Sequence, residues 1–324
     1  MASQRSYTGG MWTFGQIIDR YATDGYGPPV GTVAAIETAA SSGALAGLDL
    51  NYPFDPDVSV DDVRKALSAA DLTAVCITPV IYDRKFRGGS FSNADADIRS
   101  AALDLAHESV EVARQLNARY VKFWPGQDGY DYPFQVDYPT LRRHAIAGIR
   151  DVAIAHPEVT FAIEYKLKEP RNRLFWNTAA ASLLAIDRMD VNNVGLVIDF
   201  GHSLFAKENP AEALSLIHES GRLVDIELDD NYREWDDDLT AGALHLVETL
   251  EFLHVVRRIG WTDPLKLDLF PYREDSGAAV RESVHTLQAL EDCAARLPLD
   301  ELAAAQRNHD AMAAQRIVRA ALLG

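Results

Sequence analysis

Short, nearly continuous apolar runs alternate along this chain with longer segments in which apolar residues recur at helical spacing. Aliphatic runs of this kind predict strands buried on both faces, and segments with a 3.6-residue period predict amphipathic helices. The predicted strands cover residues 11–15, 45–52, 72–80, 119–124, 160–165, 194–199, 223–228 and 265–269. The helices that follow them are predicted at 33–40, up to residue 70, at 95–117, from residue 137 onward, and at 178–188, 211–220, 241–259 and 278–296.

Eight successive strand-then-helix units predict a closed (β/α)₈ barrel of the α/β class. An open sheet is less consistent with the chain, because no glycine-rich phosphate-binding turn follows the first predicted strand. Residues 299–323 are alanine-rich with apolar residues at helical spacing, and Pro298 separates them from the barrel. We therefore expect a catalytic barrel over residues 1–297 and extra C-terminal helices over residues 298–324, packed on the barrel or on a partner.

Four predicted strands carry a carboxylate at or near their C-terminal ends. Because the C-terminal ends of parallel barrel strands meet at one face, we expect these side chains to converge. Four oxygen ligands suit a hard divalent ion such as Mn²⁺ or Mg²⁺ better than a tetrahedral zinc site. The sequence therefore predicts a metal site with these ligands: Glu164, Asp199, Glu227 and Asp268.

Two alternatives stay open at this site. Asp229 shares a strand face with Glu227, so either residue could be the third ligand. One or two of the carboxylates could instead form buried salt bridges with Lys166 and Lys266, although burying all four without a cation would be costly. Lys166 follows Glu164 by two positions, where it either reaches a substrate oxygen or serves as the counter-ion of Glu164.

Two histidines are candidates for catalysis. His202 lies in the predicted loop just beyond Asp199, where it serves as a substrate contact or proton carrier, or else simply satisfies a loop carbonyl. His144 falls in the second turn of the helix that Asp137 caps, near the same mouth; a helix-surface histidine beside two arginines is the alternative.

Loops at the same face suggest a sugar. Residues 125–132 mix aromatic, amide and acidic groups, as sugar sites do. We expect Trp124, Gln127 and Asp229 to contact substrate. The loop at 82–93 is longer than a connection requires, and the acidic run 234–238 either caps the next helix or closes the site.

Composition narrows the functional classes. The 324 residues are 48% hydrophobic with no shift that marks a second domain, and the net charge of −17 disfavours nucleic acid and anionic lipid as partners. No apolar run is long enough to span a bilayer, and residues 1–7 are polar, so we expect a cytoplasmic protein. Cys76 and Cys293 lie in apolar or helical stretches and are expected to be buried thiols.

Several motifs together resemble the xylose isomerase-like TIM-barrel superfamily, in particular its rhamnose isomerase-like branch. The resemblance covers roughly residues 12–290 and is carried by WPGQDG at 124–129, IEYK at 163–166 with KEP at 168–170, DFGH at 199–202, DNY at 230–232 with WDDD at 235–238, and Asp268 with FPYRED at 270–275. By position, Glu164, Asp199 and Asp268 match metal ligands of that branch, and Lys166 and His202 match its substrate-side residues.

The chain departs from the branch at two positions. Related isomerases usually have a metal-binding histidine where this chain has Glu227, and commonly a tryptophan where it has His144. A carboxylate makes the ion less electrophilic than an imidazole does, and a histidine at the mouth adds a base.

The chain also resembles the large α subunits of bacterial C-glycoside deglycosidases, which are similar in length and built on this barrel. That resemblance implies a divalent ion, with Mn²⁺ favoured, a small β-subunit partner, an oligomeric assembly and a substrate whose sugar is oxidised to a 3-keto form. His144 would remove the proton beside the carbonyl, Lys166 and His202 would orient oxygens, and the aglycone would leave by β-elimination.

Three other functions are weighed against this carbon–carbon lyase. A metal-dependent isomerase or epimerase of a free monosaccharide needs the same first deprotonation but no small partner subunit. A sugar-binding barrel without catalysis would not need the carboxylate set. An endonuclease of this fold would need basic strips that the charge balance does not support.

Overall fold

The computed structural model of the chain describes residues 5–324, so the N-terminal part of the 1–7 prediction lies outside the described residues. Within that part of the chain, eight parallel strands close into a barrel. They are β1 (Tyr7–Gly10), β2 (Gly47–Tyr52), β3 (Thr73–Pro79), β4 (Tyr120–Phe123), β6 (Phe161–Glu164), β9 (Val194–Asp199), β10 (Leu223–Leu228) and β11 (Leu265–Leu267). Sequential pairing runs round the barrel and closes where β1 pairs with both β2 and β11. The predicted (β/α)₈ barrel is confirmed.

Helices surround the barrel in the predicted alternation. They are α1 (Thr32–Ser41), α2 (Val60–Ala69), α3 (Ala96–Leu116), α4 (Tyr138–Ala155), α5 (Ala179–Asp187), α6 (Phe200–Phe205), α7 (Pro210–Glu219), α8 (Leu246–Arg258) and α9 (Ser276–Arg296). Local chemistry sets many of their starts: Ser59 and Asp62 form a capping box on α2, and Asp137 caps α4. Outward-facing strand residues such as Ile198 and Leu228 belong to one buried apolar cluster with the inner helix faces.

The C-terminal residues form two helices, α10 (Leu299–Arg307) and α11 (Ala311–Leu323). Val318 and Leu322 of α11 pack on the main apolar cluster, and Arg296 at the end of α9 donates a hydrogen bond to the carbonyl of Ala321. The extension therefore packs on the barrel's own helices. Within residues 5–324, no helix combines the length and apolarity that crossing a membrane requires.

The first strand was predicted wrongly at residues 11–15. The strand is Tyr7–Gly10, and Met11–Phe14 form a 3₁₀ turn. Tyr-Thr-Gly-Gly has little apolar signal, but packing requires a glycine at its last position, Gly10. A Cβ at Gly10 would lie 2.1 Å from the Trp12 ring, which folds back over the strand.

Two loop segments also differ from the prediction. His202 lies in the short helix α6, because Asp199 at the end of β9 accepts the backbone N–H of His202 and caps that helix. α8 begins at Leu246 rather than at residue 241, because Asp230 accepts the backbone N–H groups of Leu244 and His245 and holds a turn there.

A small antiparallel sheet stands outside the barrel and was not predicted. It consists of β5 (Gly129–Tyr130), β7 (Lys168–Glu169) and β8 (Asn172–Leu174), paired in the order β5, β8, β7. These strands belong to the segments that follow β4 and β6. The sheet therefore rises at the C-terminal face, where barrel sites lie.

Candidate metal centre and sugar cavity

The four predicted metal-binding carboxylates lie together at the C-terminal face. Glu164 and Asp199 end β6 and β9, Glu227 lies in β10, and Asp268 follows β11 directly. One oxygen of each lies within 4.8 Å of those of the others, and all four residues are buried. Alternation along the strands aims these side chains into the barrel, so carboxylates from distant segments meet.

Two oxygens of this cluster have no partner among the described residues. They are Asp199 Oδ2 and Glu227 Oε2, both buried. Burial and the neighbouring carboxylates raise the pKa of Asp199, and the same causes raise the pKa of Asp268 well above its ordinary value. A buried polar atom without a partner is costly, and carboxylate oxygens are the ligands that hard divalent ions prefer. The residues present therefore fit a divalent cation.

A lysine layer, formed by Lys122 and Lys266, lies beneath the carboxylates. Lys122 Nζ lies 2.6 Å from Glu164, 2.8 Å from Glu227 and 2.9 Å from Asp49. Burial lowers the pKa of Lys122, but these carboxylates outweigh it and raise the pKa well above its usual range. The lysine layer therefore carries positive charge directly under the metal-binding set.

Lys266 completes the layer. Its Nζ lies 2.6 Å from Glu227 and donates to the Tyr120 hydroxyl at 2.8 Å and to Asp49 at 3.2 Å. Both ammonium groups contact the same oxygen, Glu227 Oε1, and the other oxygen, Oε2, has no hydrogen-bond partner within residues 5–324. Lys266 therefore forms the salt bridge that the sequence offered as an alternative, but with only one of the two oxygens of Glu227.

Lys166 and His202 lie beside the cluster, and both pair with the carboxylate of Asp236. Asp236 Oδ2 lies 2.8 Å from Lys166 Nζ and 2.9 Å from His202 Nε2. Burial lowers the pKa of His202, but Asp199 and Asp236 outweigh it and raise the pKa to about 10. Lys166 pairs with Asp236 and Glu169 and forms no ion pair with Glu164 in the described structure. Of the two uses suggested for the acidic run, site closure is the one this geometry favours.

Asp229 belongs to a second acidic group rather than to the four-carboxylate cluster. It lies with Asp236 and Asp238, and its Oδ1 accepts the backbone N–H of Gly201 at 2.7 Å. A Cβ at Gly201 would lie 2.1 Å from the Asp229 carboxylate, so glycine is required there. Between the two candidates for third ligand, Glu227 is the one that the structure places with Glu164, Asp199 and Asp268.

The reaction cavity, as we name the cavity above the carboxylates, has a volume of about 430 Å³, within the roughly 300–1,000 Å³ of small-molecule sites. Aromatic rings and polar groups line it together, including Trp124 and Gln127, which sequence analysis selected. The aromatic lining residues are Trp12, Tyr82, Trp124, Trp235, Phe270 and Tyr272. Rings that cover C–H faces beside groups that bind hydroxyls suit a sugar.

Asp128 fixes one wall of this cavity. Its buried carboxylate accepts hydrogen bonds from the backbone N–H and hydroxyl groups of Ser90 and Ser92. The bonds tie the long 82–93 loop to the loop after β4. The preceding residue, Gln127, donates a side-chain hydrogen bond to the carbonyl of Tyr82 at 3.3 Å. The length of the 82–93 loop is therefore used to build the site.

His144 does not line the reaction cavity. Its side chain lines a neighbouring cavity of about 490 Å³, together with Asn93 and Thr140. Burial and the nearby Arg99 lower the pKa of His144, which keeps the imidazole neutral near pH 7. The structure therefore separates His144 from Lys166 and His202, which both line the reaction cavity.

Sequence reasoning missed Asp49, Lys122 and the indole of Trp12, which donates to Asp268 Oδ1. The sequence did contain a signal for Asp49 and Lys122. Asp49 stands between two leucines and Lys122 between Val121 and a phenylalanine, each a charged residue at an inward position of an apolar strand.

Known proteins of similar sequence and structure share this architecture. A xylose isomerase of Thermus thermophilus is 25% identical over 297 residues, covering 86% of this chain and 76% of that protein. A D-tagatose 3-epimerase-like protein superposes with a TM-score of 0.69 at 13% identity, covering 88% of this chain and 98% of its own. A 3-keto-D-glucoside 4-epimerase from E. coli superposes with a TM-score of 0.63 at 15% identity, covering 80% of this chain and 95% of its own.

A family model gives the broader assignment. The model described as xylose isomerase-like TIM barrel matches residues 35–290, which include seven of the barrel strands and all four carboxylates of the cluster. The chain therefore belongs to the xylose isomerase-like TIM-barrel family.

Proposed function

We propose that the chain is a divalent-metal-dependent enzyme that removes or transfers a proton next to the carbonyl group of a sugar, as an isomerase or epimerase does. The observation that carries this proposal is the group of four buried carboxylates, with two unpartnered oxygens, at the base of an aromatic and polar cavity. The names of the similar proteins, a xylose isomerase, a D-tagatose 3-epimerase-like protein and a 3-keto-D-glucoside 4-epimerase, support a sugar as the substrate.

Glu164, Asp199, Glu227 and Asp268 would hold the ion, and Mn²⁺ or Mg²⁺ suits four carboxylate oxygens. A divalent ion bound there would supply Lewis-acid stabilisation of negative charge that develops on a substrate oxygen. The lysine layer offsets part of the charge of the four carboxylates. This leaves the set less negative than its carboxylates alone would make it.

Lys166 and His202 bind and orient the substrate in this proposal. Both line the reaction cavity, and Asp236 fixes both. Each would donate a hydrogen bond to a sugar oxygen, which favours negative charge on that oxygen as a proton leaves the adjacent carbon. Trp124, whose ring lies 5.3 Å from Lys166 Nζ, would cover a C–H face of the ring.

A carbon–carbon lyase is the second candidate, and the E. coli epimerase supports it, because that protein is named for a 3-keto-D-glucoside. In a 3-keto C-glycoside, removal of the proton beside the ketone leaves an electron pair that expels the aglycone. The carbon–carbon bond breaks, and the aglycone carbon takes up a proton. The small β subunit and the oligomeric assembly belong to this candidate. A carboxylate at Glu227 instead of an imidazole favours it over ordinary aldose–ketose exchange.

Deuterium exchange tests the shared first step. The protein, co-expressed with its genomic neighbours, is incubated in D₂O with a 3-keto C-glucoside and separately with free aldoses, with Mn²⁺ or with a chelator. We expect metal-dependent deuterium incorporation beside the carbonyl, read by proton NMR. Ketose or epimer formation assigns the isomerase function, and aglycone release from the keto substrate assigns the lyase. Absence of exchange in every metal-loaded mixture contradicts the proposal.

His144 remains the predicted base, and its neutral imidazole suits that role. Because it lies in the neighbouring cavity, it would act only on a carbon held at the boundary of the two cavities. His144→Ala is expected to leave metal content unchanged and to lower kcat by about 10²- to 10⁴-fold. A change in KM alone would assign His144 to substrate binding instead, and wild-type kinetics would remove it from both roles.

A further inference from the structure

The cavity that contains His144, here called the outer cavity, adjoins the reaction cavity. The outer cavity has a volume of about 490 Å³ and lies between the 87–94 loop, the loop after β4 and the start of α4. It shares a wall of three residues with the reaction cavity: Gln127, Glu169 and Pro170 line both. Both cavities lie among the loops of the C-terminal face.

An ion pair and strand pairing hold the shared wall in place. Glu169 ends β7 and pairs with Lys166, and Pro170 continues into the turn before β8. β8 pairs with β5, which extends the loop that Asp128 anchors to Ser90 and Ser92. The small antiparallel sheet thus supports the turn that separates the two cavities. A ligand that reached over this turn would have one end in each cavity.

The two cavities differ in chemistry. Six aromatic rings line the reaction cavity, whereas no Phe, Tyr or Trp among residues 5–324 lines the outer cavity. Amide, hydroxyl, guanidinium and carboxylate groups, from residues such as Asn93, Thr140 and Arg171, line it together with the aliphatic side chains of Val136 and Leu141. His144 also lines this cavity. These groups match a hydroxyl-rich ligand, because a flat aromatic group would find no ring to stack on.

We propose that the outer cavity binds a second sugar residue attached to the reacting sugar, so that the substrate is a glycoside with a sugar on both sides of the linkage. The inference rests on the proposed function in one respect: it places the reacting sugar in the reaction cavity. It adds a binding site for the remainder of the substrate, and it makes a disaccharide a better ligand than a monosaccharide.

Ala94→Trp tests the outer cavity without touching the reaction cavity. Ala94 is exposed, lines only the outer cavity, and makes no side-chain hydrogen bond, so an indole there fills the cavity at little cost to folding. Ala96→Trp is the matched control, because Ala96 is also exposed, begins α3, and lies outside both linings. Affinity is measured by titration calorimetry on the Mn²⁺-loaded protein.

The titrants are glucose and its α- and β-linked disaccharides with 1→2, 1→3, 1→4 and 1→6 linkages. We expect at least one disaccharide to bind about tenfold more tightly than glucose, as a few added hydrogen bonds provide. Ala94→Trp should remove that gain and Ala96→Trp should keep it. If no disaccharide exceeds glucose, or if the gain survives Ala94→Trp, the outer cavity is not a sugar site. If deuterium exchange occurs but no disaccharide binds more tightly than glucose, this inference alone is overturned. If a disaccharide binds more tightly but no deuterium exchange occurs, the proposed function alone is overturned.

Discussion

Replacing Asp199 by asparagine is expected to abolish metal binding and turnover while leaving the fold intact. Asp199 Oδ1 accepts the backbone N–H of His202 that begins α6, and an asparagine oxygen accepts the same bond. The other oxygen, Oδ2, has no partner in the described structure, and an amide NH₂ there is not a metal ligand. Even an outer-shell partner is worth roughly 10- to 100-fold in metal affinity, so the loss should exceed about 100-fold.

Two measurements check this result independently of turnover. Elemental analysis after dialysis gives metal content, and thermal unfolding with and without Mn²⁺ gives binding. At a free ion concentration of 100 times the wild-type Kd, Mn²⁺ should stabilise the wild-type protein by about 2.7 kcal/mol and the variant by less than about 0.4 kcal/mol. Asp275→Asn is the control, because Asp275 caps α9 through one oxygen and is exposed. Full metal occupancy in Asp199→Asn would refute the ligand assignment.

Replacing Lys122 by methionine should produce the largest loss of stability. Methionine fills a similar volume but removes the ammonium group that three buried carboxylates share: those of Asp49, Glu164 and Glu227. Breaking a buried ion pair by removing one partner costs about 3–5 kcal/mol, because the remaining charge stays buried. Since whole domains are stable by only about 5–15 kcal/mol, this is a large share.

Chemical denaturation with a chelator present measures this loss without a contribution from bound metal. Lys65→Met is the matched control. Lys65 pairs with Asp62 at 3.7 Å on the surface of α2, and such exposed, solvent-screened pairs contribute little to stability. Wild-type stability in Lys122→Met would mean that the carboxylates around Lys122 are protonated in the folded protein. The lysine layer would then not be an ionic support for Glu227.

Much of the fold could be predicted from the sequence, because its signals are local. The alternation of apolar runs with helical periods identified the strand-then-helix units, and most observed elements lie within two residues of their predicted bounds. The start of α8 was one exception, because Asp230 holds a turn over residues that were predicted to be helical. The first strand was another, because a Tyr-Thr-Gly-Gly strand has no apolar run to reveal it. Its sequence reflects a contact with Trp12, which periodicity does not contain.

The convergence of Glu164, Asp199, Glu227 and Asp268 followed from sequence for a similar reason. A carboxylate at the end of a parallel strand lies at one face of a barrel whatever the rest of the chain does. Sequence left Glu227 and Asp229 as alternatives, since residues two apart share a strand face. The tertiary structure separates them, because Asp229 binds the backbone of Gly201 and lies with the acidic run instead.

The sequence by itself determined the barrel, the C-terminal helices and the carboxylate cluster, because each depends on the period or the end of a single element. Only the tertiary structure decided the lysine layer, in which Lys266 meets Asp49 across 217 positions of sequence. It also placed His144 in the outer cavity, away from Lys166. Such contacts depend on which side chains face one another across a closed barrel. The twist and register of all eight strands set that arrangement, and no local pattern records it.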